Sequence, residues 1–434
     1  MKYRIHEEMV SFRPGESPVR KTYETGMIED AKRQEMLVLN LYPHKEYQTI
    51  DGFGGALTEG SAFLLLGLSA EKRREVIEAL YGKEGLCYNQ ARLPIDSSDF
   101  STKPFCQAVF EGDKVRPCLS VDEGMAMPVL REIQEVMGGR DLSLLFSPWS
   151  PPQEMKDTGE RNGGGHLLKE WYASYAAYLA EYLSGYKKAG FPVWALSVQN
   201  EPLAVQTWDS CEYSAAEEKE FLKDYLYPAL QAAGLSEVGI FIWDHNKERA
   251  YERTREIVDE TTAPMVAGVA YHWYSGDHFE TLGLIGEDYP DLTLIHSEGC
   301  VELVRADLPA GTNVDQALRY AHDIIGDLNH GMNRWFDWNL ILDPMGGPNH
   351  VGNYCAAPVH CDIEKDEVWK NDTYEAIAQF SRFILPGAKR IAFSSFSKEI
   401  EVTAAKNPDE SLILVAMNTG EKDLWAHLRL EGKV

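Results

Sequence analysis

Eight strand-length apolar runs recur through the middle of the chain, and each stops at a polar residue or at a glycine or proline. The runs are nearly continuous in apolar residues, which is typical of parallel strands that are buried on both faces. We predict these strands at 49–57, 88–95, 143–149, 193–201, 239–244, 266–274, 292–298 and 333–342.

The segments between these runs show helical patterns. Ser214 and Glu217 form a capping box, in which the two side chains satisfy free backbone amides at a helix start. Ser69 is predicted to cap a helix that runs to about Tyr81. An aromatic stripe of four residues recurs at helical spacing: Trp171, Tyr175, Tyr178 and Tyr182. These residues could form a surface that binds a sugar, but we predict that they pack one face of a helix into the core.

Strands that alternate with helices over residues 46–385 predict a (β/α)8 barrel. A doubly wound open sheet is the alternative, but no GxGxxG motif follows a first strand to support it. Residues 1–45 and 386–434 instead contain short stretches in which apolar and polar residues alternate with period two. We predict that these two ends form one small all-β, sandwich-like side domain beside the barrel.

Composition narrows the classes of partner. The chain has 434 residues and a formal net charge of −26, so its surface repels phosphate backbones and nucleic-acid binding is not expected. The seven cysteines form no CxxC pair, the amino terminus lacks an apolar signal segment, and no run of eighteen apolar residues occurs. We therefore expect a cytoplasmic protein with reduced thiols and without stable membrane insertion.

Polar and aromatic residues stand at the predicted carboxyl ends of the strands. In a (β/α)8 barrel these ends face one cavity, where catalytic groups lie. The residues at these positions are Asp99 with Arg92, Trp149, Asn200 with Glu201, Asp244, His272 with Tyr274, Glu298, and Trp338 with Asn339. A joint set of carboxylates, amides, one imidazole and aromatic rings predicts a sugar-binding catalytic site.

Glu201 and Glu298 end the fourth and seventh strands, and only the fold could bring them together. Glycoside cleavage uses one protonated carboxyl group as acid and one carboxylate as nucleophile or base. This chemistry requires no metal or cofactor. Two alternatives are a non-catalytic carbohydrate-binding barrel, which would be expected to lack one carboxylate, and a metal-dependent hydrolase, for which the first strand lacks a His-x-His pair.

Eight motifs in order resemble glycoside hydrolase family 30, the glucosylceramidase-like retaining β-glycosidases. They are IDGFGGALTEGSA, ARLPIDSSDFS, LLFSPWSPPQEMK, WALSVQNEP, VAYHWY, IHSEGC, DWNLILDPMGGPNHVGNY and FILPGAKRI. The resemblance implies a (β/α)8 barrel with a β domain built from both chain ends. It also implies that Glu201 is the acid/base and Glu298 the nucleophile.

The resemblance further implies a set of residues that bind a β-linked sugar. Asn200 would contact the 2-hydroxyl of the sugar, and Trp338 would form the floor of the glycone pocket. The complete implied substrate-binding set is Asp99, Trp149, Asn200, His272, Tyr274, Trp338 and Asn353.

Two features depart from the family pattern. His350 stands where an aromatic residue is expected, and the chain ends at LEGKV, where the last strand or two of the β domain would still be expected. The resemblance implies an exo-acting enzyme on β-glucosides, and the family name points to glucosylceramide. The acidic surface and the lack of an apolar signal segment instead favour a small soluble glucoside over membrane glucosylceramide. The alternatives within the family are a β-xylosidase, a β-fucosidase, a xylanase and a β-1,6-glucanase.

Overall fold

The computed structural model describes residues 4–112, 114–303, 311–420, 422–431 and 433. The strands are β1 (Arg4–Ser11), β2 (Val19–Gly26), β3 (Val38–Ile50), β4 (Gly52–Ala56), β5 (Gln90–Ile95), β6 (Ala108–Glu111), β7 (Lys114–Pro117), β8 (Ser143–Pro148), β9 (Val193–Ser197), β10 (Gly239–Asn246), β11 (Gly268–His272), β12 (Thr293–Glu298), β13 (Met332–Asp337), β14 (Ile341–Leu342), β15 (Val359–Asp362), β16 (Glu367–Lys370), β17 (Ala388–Ser394), β18 (Ile400–Lys406), β19 (Leu412–Asn418) and β20 (His427–Arg429). The α-helices are α1 (Glu59–Gly67), α2 (Ala70–Tyr81), α3 (Ser120–Gly124), α4 (Ala126–Met137), α5 (Tyr172–Lys188), α6 (Ala215–Phe221), α7 (Tyr227–Ala232), α8 (Ala250–Ile257), α9 (Phe279–Asp288), α10 (Asn313–Asn329) and α11 (Asp372–Ser381).

Eight parallel strands close into a barrel in the order β4-β5-β8-β9-β10-β11-β12-β13. Each predicted apolar run supplies one of these strands, so the predicted barrel is confirmed. The barrel interior is filled by side chains and forms a packed core, as is usual for this fold. The residues that fill it are Leu145, Ala195, Phe241, Ala270, Ile295 and Phe336.

Two strands end four or five residues earlier than the sequence pattern predicts. The fourth barrel strand, β9, stops at Ser197, and the chain reaches Glu201 through an irregular turn in which the Glu201 amide donates to the Asp244 carbonyl at 2.9 Å. The eighth, β13, stops at Asp337. Glu201 and Asn339, which the sequence pattern places within strands, both adopt positive φ, a conformation outside the region of regular strands.

The predicted helix signals are confirmed. Ser214 and Glu217 form the capping box of α6, and Ser69 accepts a hydrogen bond from the Lys72 amide at the start of α2. The aromatic stripe of α5 packs in the core, since Tyr175, Tyr178 and Tyr182 are almost fully buried. Among the described residues, no helix has both the length and the apolar character needed to cross a bilayer.

The side domain is built from both ends of the chain, as the sequence predicts. Its five-stranded sheet has the order β19-β18-β17-β3-β20, and β1 and β2 form a separate antiparallel hairpin. Helix α10 joins this sheet to the barrel. His322 on α10 contacts Glu401 on β18 at 2.7 Å, and the Asn329 side-chain amide donates to the Val402 carbonyl at 2.8 Å.

Candidate active site

A cavity of about 350 Å³ opens at the carboxyl ends of the barrel strands. Its lining residues are Asp99, Trp149, Asn200, Glu201, Gln206, Trp208, His245, Asn246, Tyr274, Glu298, Cys300, Glu302, Trp338, Asn353 and Cys355. Eight of the nine residues assigned to the site by sequence line this cavity. The ninth, His272, lies directly behind it and hydrogen-bonds to Glu201.

The two glutamates face each other across the cavity. An oxygen of the Glu201 carboxylate lies within 4.8 Å of an oxygen of the Glu298 carboxylate. Retaining glycosidases separate their carboxyl groups by about 5–5.5 Å, whereas inverting enzymes leave about 6.5–9.5 Å for a water molecule. The observed spacing therefore fits the retaining geometry.

Glu298 is held by two donors at the end of β12. Arg92 donates to one carboxylate oxygen at 2.5 Å, and the Tyr274 hydroxyl donates to the other at 3.0 Å. Because Arg92 is completely buried, its positive charge acts on Glu298 with little screening by water. These contacts leave the carboxylate one fixed orientation toward the cavity.

Arg92 also organises the groups on either side of Glu298. Its guanidinium donates to the Asn200 side-chain oxygen at 2.7 Å and to the Asp244 carboxylate at 2.9 Å. Burial alone would raise the pKa of Asp244, but the charge of Arg92 and a hydrogen bond from His272 outweigh it and hold that pKa well below its usual range. Asp244 is therefore the ionised counter-charge of this layer.

His272 bridges Asp244 and Glu201. One ring nitrogen lies 3.0 Å from Glu201 and the other 3.1 Å from Asp244. Burial would lower the pKa of His272, but the charge of Glu298 and the hydrogen bonds to Asp244 and Glu201 raise it to about 9. The ring is therefore an imidazolium at neutral pH. The ligand atoms of Glu201, His272 and Glu298 lie within 4.8 Å of one another, and the His272 ring would have to lose a proton before it could bind a metal ion there.

Two tryptophan rings and a third carboxyl group also line the cavity. Trp149 and Trp338 stack with ring centroids 5.3 Å apart, and Arg92 lies over both rings. Asp99 accepts a hydrogen bond from the Asn353 side-chain amide at 2.9 Å. Burial and then the charge of Glu298 raise the pKa of Asp99 well above its usual range. A protonated Asp99 can both donate to and accept from a sugar hydroxyl.

Three site residues adopt positive φ: Glu201 (47°), Asp244 (50°) and Asn339 (72°). Asp244 also lies at an irregularity in the pairing of β10 with β11. Such backbone conformations cost about 1–3 kcal/mol each and cluster at functional sites, because the surrounding contacts must enforce them. Of the three, only Glu201 lines the cavity. Asp244, Asn339 and Arg92, which the sequence pattern places at the cavity, lie behind its lining: Asp244 contacts Arg92 and His272, and Asn339 accepts a hydrogen bond from the Thr58 hydroxyl at 2.8 Å.

Several lining residues were not predicted from the sequence. His245 and Asn246 extend β10 two residues beyond its predicted end, so strand length was the missing signal. Gln206, Trp208, Cys300, Glu302 and Cys355 lie on loops, where the sequence shows no periodic pattern. His350 does not line the cavity; its ring instead lies 3.1 Å from the Ser101 carbonyl.

Known proteins share both the sequence pattern and the fold. The lysosomal acid glucosylceramidase of Mus musculus is 30% identical over 424 residues, which are 93% of this chain and 82% of that protein. The crystal structure of SrfJ from Salmonella typhimurium superimposes with a TM-score of 0.88 at 35% identity, covering 96% of this chain and 92% of SrfJ. The endo-β1,6-glucanase BT3312 superimposes with a TM-score of 0.83 at 26% identity, covering 92% and 91% of the two chains.

Family models match almost the whole chain. The glycosyl hydrolase family 30 TIM-barrel domain matches residues 50–384, and the glycosyl hydrolase family 30 beta sandwich domain matches residues 387–433. These matches agree with the observed barrel, the side domain and the carboxylate spacing. The chain belongs to glycosyl hydrolase family 30, and it is a retaining glycoside hydrolase.

Proposed function

We propose that this enzyme removes terminal β-linked glucose by double displacement, with Glu298 as nucleophile and Glu201 as acid/base. The observation that carries the proposal is the short separation of the two carboxylates, together with the two donors that orient Glu298. Glu298 attacks the anomeric carbon while Glu201 protonates the departing oxygen. Water then cleaves the glycosyl ester as Glu201 takes its proton.

His272 supports both roles of Glu201 in this scheme. The imidazolium and Glu201 share a hydrogen bond of 3.0 Å, across which a proton can pass to the acid before the first step. The charge of Glu298 is the largest factor that raises the pKa of His272. Because the glycosyl ester removes that charge, the pKa of His272 falls in the intermediate. A His272 ring with a lower pKa holds the Glu201 carboxylate less strongly. Glu201 is then more available to accept the proton of the attacking water.

Asn200 and the two stacked tryptophan rings bind the sugar. The Asn200 side-chain oxygen accepts a hydrogen bond from Arg92. The NH₂ group of Asn200 can therefore donate to the 2-hydroxyl of the glycone. Such a contact accelerates the reaction only if it strengthens as the ring flattens toward the oxocarbenium ion. The stacked Trp149 and Trp338 offer an apolar surface to the sugar ring.

The glycone and aglycone are inferred from the cavity and its rim. The cavity volume is near the lower end of the roughly 300–1,000 Å³ that small-molecule sites occupy, which favours exo-action on one terminal residue. Four apolar residues on loops that follow barrel strands have exposed fractions of 39% to 69%. They are Leu203, Val205, Leu303 and Met345. Leu203, Val205 and Leu303 stand within three residues of the lining residues Gln206 and Glu302. Apolar surface beside the cavity would favour a β-glucoside with an apolar or lipid-like aglycone, such as glucosylceramide, over the small soluble glucoside that the acidic surface favours.

A β-1,6-glucan is the second candidate substrate. The observation that favours it is the structural similarity to the endo-β1,6-glucanase BT3312 over nearly the whole chain. Gln206, Asn246 and Glu302 also add polar groups to the cavity lining, and these could bind a second sugar.

A substrate panel tests the proposal. The purified enzyme is assayed with aryl β-glucoside, β-xyloside, β-fucoside and β-galactoside, with glucosylceramide in detergent and with a β-1,6-glucan, alongside Glu298→Ala. We expect release from the aryl glucoside and from glucosylceramide, and no release by the variant. Preference for another aryl glycoside would change the assigned glycone, and selective cleavage of the polymer would favour the glucanase.

We also propose a cytoplasmic location. All seven cysteines are free thiols, which suits a reducing compartment. Cell fractionation followed by thiol labelling of the native protein tests this, and recovery of the activity outside the cytoplasm would contradict it.

A further inference from the structure

Four charged side chains form a buried cluster outside the barrel wall; we call Lys247, His296, Asp323 and Asp327 the buried quartet. The Lys247 ammonium lies 2.5 Å from Asp323 and 2.9 Å from Asp327. The His296 ring nitrogen Nδ1 lies 3.2 Å from Asp323 and 2.8 Å from Asp327. None of the four side chains is more than 7% exposed.

The charges of the quartet balance when His296 is protonated. Burial would lower the pKa of His296, but its hydrogen bonds to Asp323 and Asp327 raise that pKa above its usual value. Two cations then face two carboxylates. The donor atoms of His296, Asp323 and Asp327 lie close enough together to hold a metal ion, but the Lys247 ammonium already contacts both carboxylates and supplies the cation.

His296 packs directly behind the candidate nucleophile. A methyl group added at Gly299, the residue after Glu298, would lie 2.6 Å from His296 Nε2 and 3.0 Å from the Trp273 ring. The Gly299 backbone therefore rests on the His296 ring. The Gly299 carbonyl also accepts a hydrogen bond from the Trp338 amide at 2.9 Å. The quartet thus supports the peptide that fixes the direction of Glu298.

Lys247 provides a second connection to the same carboxylate. It follows Asn246, whose side-chain oxygen accepts a hydrogen bond from the Tyr274 amide at 3.0 Å. The Tyr274 hydroxyl in turn donates to Glu298 at 3.0 Å. The quartet therefore joins the ends of β10 and β12 to helix α10, and both connections lead to Glu298.

We propose that the buried quartet is a positioning device that sets the orientation of Glu298 for attack. The proposal rests on the proposed function, in which Glu298 is the nucleophile. A purely structural role would couple changes in activity to changes in stability, whereas a positioning role separates the two.

The test compares Lys247→Met with the double variant Lys247→Met/Asp323→Asn. The single change leaves one buried carboxylate without a counter-charge, so we expect a lower Tm. The double change restores charge balance but removes the link from Asn246 to α10. We measure Tm by calorimetry and the rate of inactivation by a 2-deoxy-2-fluoro-β-glucosyl fluoride, which reports attack by the nucleophile.

We expect the double variant to recover most of the lost Tm while its inactivation rate stays at least about 10-fold below that of the wild type. Lys247→Arg, which keeps the charge, should recover a large part of that rate. A double variant that is inactivated at the wild-type rate would overturn the proposal, as would rates that follow Tm across the whole series. A wild-type enzyme that is not labelled on Glu298 would instead refute the proposed function.

A matched control is Arg253→Met. Arg253 forms another buried ion pair, with Glu218 at 2.8 Å, and within the described part of the chain the hydrogen bonds of the pair go to Tyr213 and Trp243 and not to Glu298 or Gly299. This variant should lose Tm and keep its inactivation rate. A second test, Gly299→Ala, should slow inactivation at least about 10-fold, because the added methyl group would push the peptide after Glu298 away from the His296 ring.

Discussion

The charge on His272 is predicted to make the stability of the enzyme depend on pH in a defined window. The pKa of His272 is about 9 in the folded protein and 6.5 without the fold. At about 1.36 kcal/mol per pKa unit, the protonated ring contributes about 3 kcal/mol to folding. Because the folded pKa is the higher one, this contribution is complete below pH 6.5 and is lost as the pH rises toward 9 and above.

The perturbation that isolates this contribution is His272→Gln, which keeps a polar side chain and cannot titrate. The free energy of unfolding of the wild type and the variant is measured by urea denaturation at fixed pH values from 6 to 10. The difference between the two proteins contains a part that is independent of pH, from lost packing and hydrogen bonds. The remaining part should shrink by about 3 kcal/mol between pH 6 and pH 10.

A second histidine provides the comparison. The pKa of His322 is also raised to about 9, chiefly by its hydrogen bond to Glu401, but its side chain is 36% exposed. Solvent screening should therefore leave His322→Gln with a much smaller pH-dependent difference. A difference for His272→Gln that is the same at pH 6 and pH 10 would refute the assignment of an imidazolium between Glu201 and Asp244.

Three further variants test the roles of individual site residues. Glu201→Ala should lower kcat/KM for p-nitrophenyl β-glucoside by about 10²–10⁴-fold, with a smaller loss for a dinitrophenyl leaving group, and added azide should restore turnover as β-glucosyl azide. Tyr274→Phe removes one donor to Glu298 and should lower kcat about 10-fold without a change in Tm, which steady-state kinetics and calorimetry check. Trp338→Ala should lose both glucoside affinity and about 3–5 kcal/mol of stability, measured by inhibitor titration and urea denaturation.

The barrel and its strand ends could be predicted because their signals are local. Continuous apolar runs mark the parallel strands, and the Ser214 capping box marks a helix start within four residues. The rule that catalytic groups lie at strand ends then brings Glu201 and Glu298 together without any distance information. Asn353 could be assigned only through the family resemblance, because its partner Asp99 is 254 residues away.

The quartet and the cavity wall could not be predicted, since they depend on tertiary burial. Asp323 and Asp327 stand one turn apart on α10 and resemble the exposed charges of any amphipathic helix. Only the packing of α10 against β12 shows that they face Lys247 and His296 in the interior. Cys355 lies in a loop, where an isolated bridge pairs it with Glu302, and no pattern in the sequence places it in the cavity wall.

The most direct test of the central claim is to find which residue forms the covalent intermediate. The wild-type enzyme is inactivated with a 2-deoxy-2-fluoro-β-glucosyl fluoride, digested, and mapped by tandem mass spectrometry. The account predicts one fluoroglucosyl group per chain, esterified to Glu298 in the peptide that contains IHSEGC. A label on Glu201, or turnover of aryl glucosides with no covalent adduct at all, would contradict it.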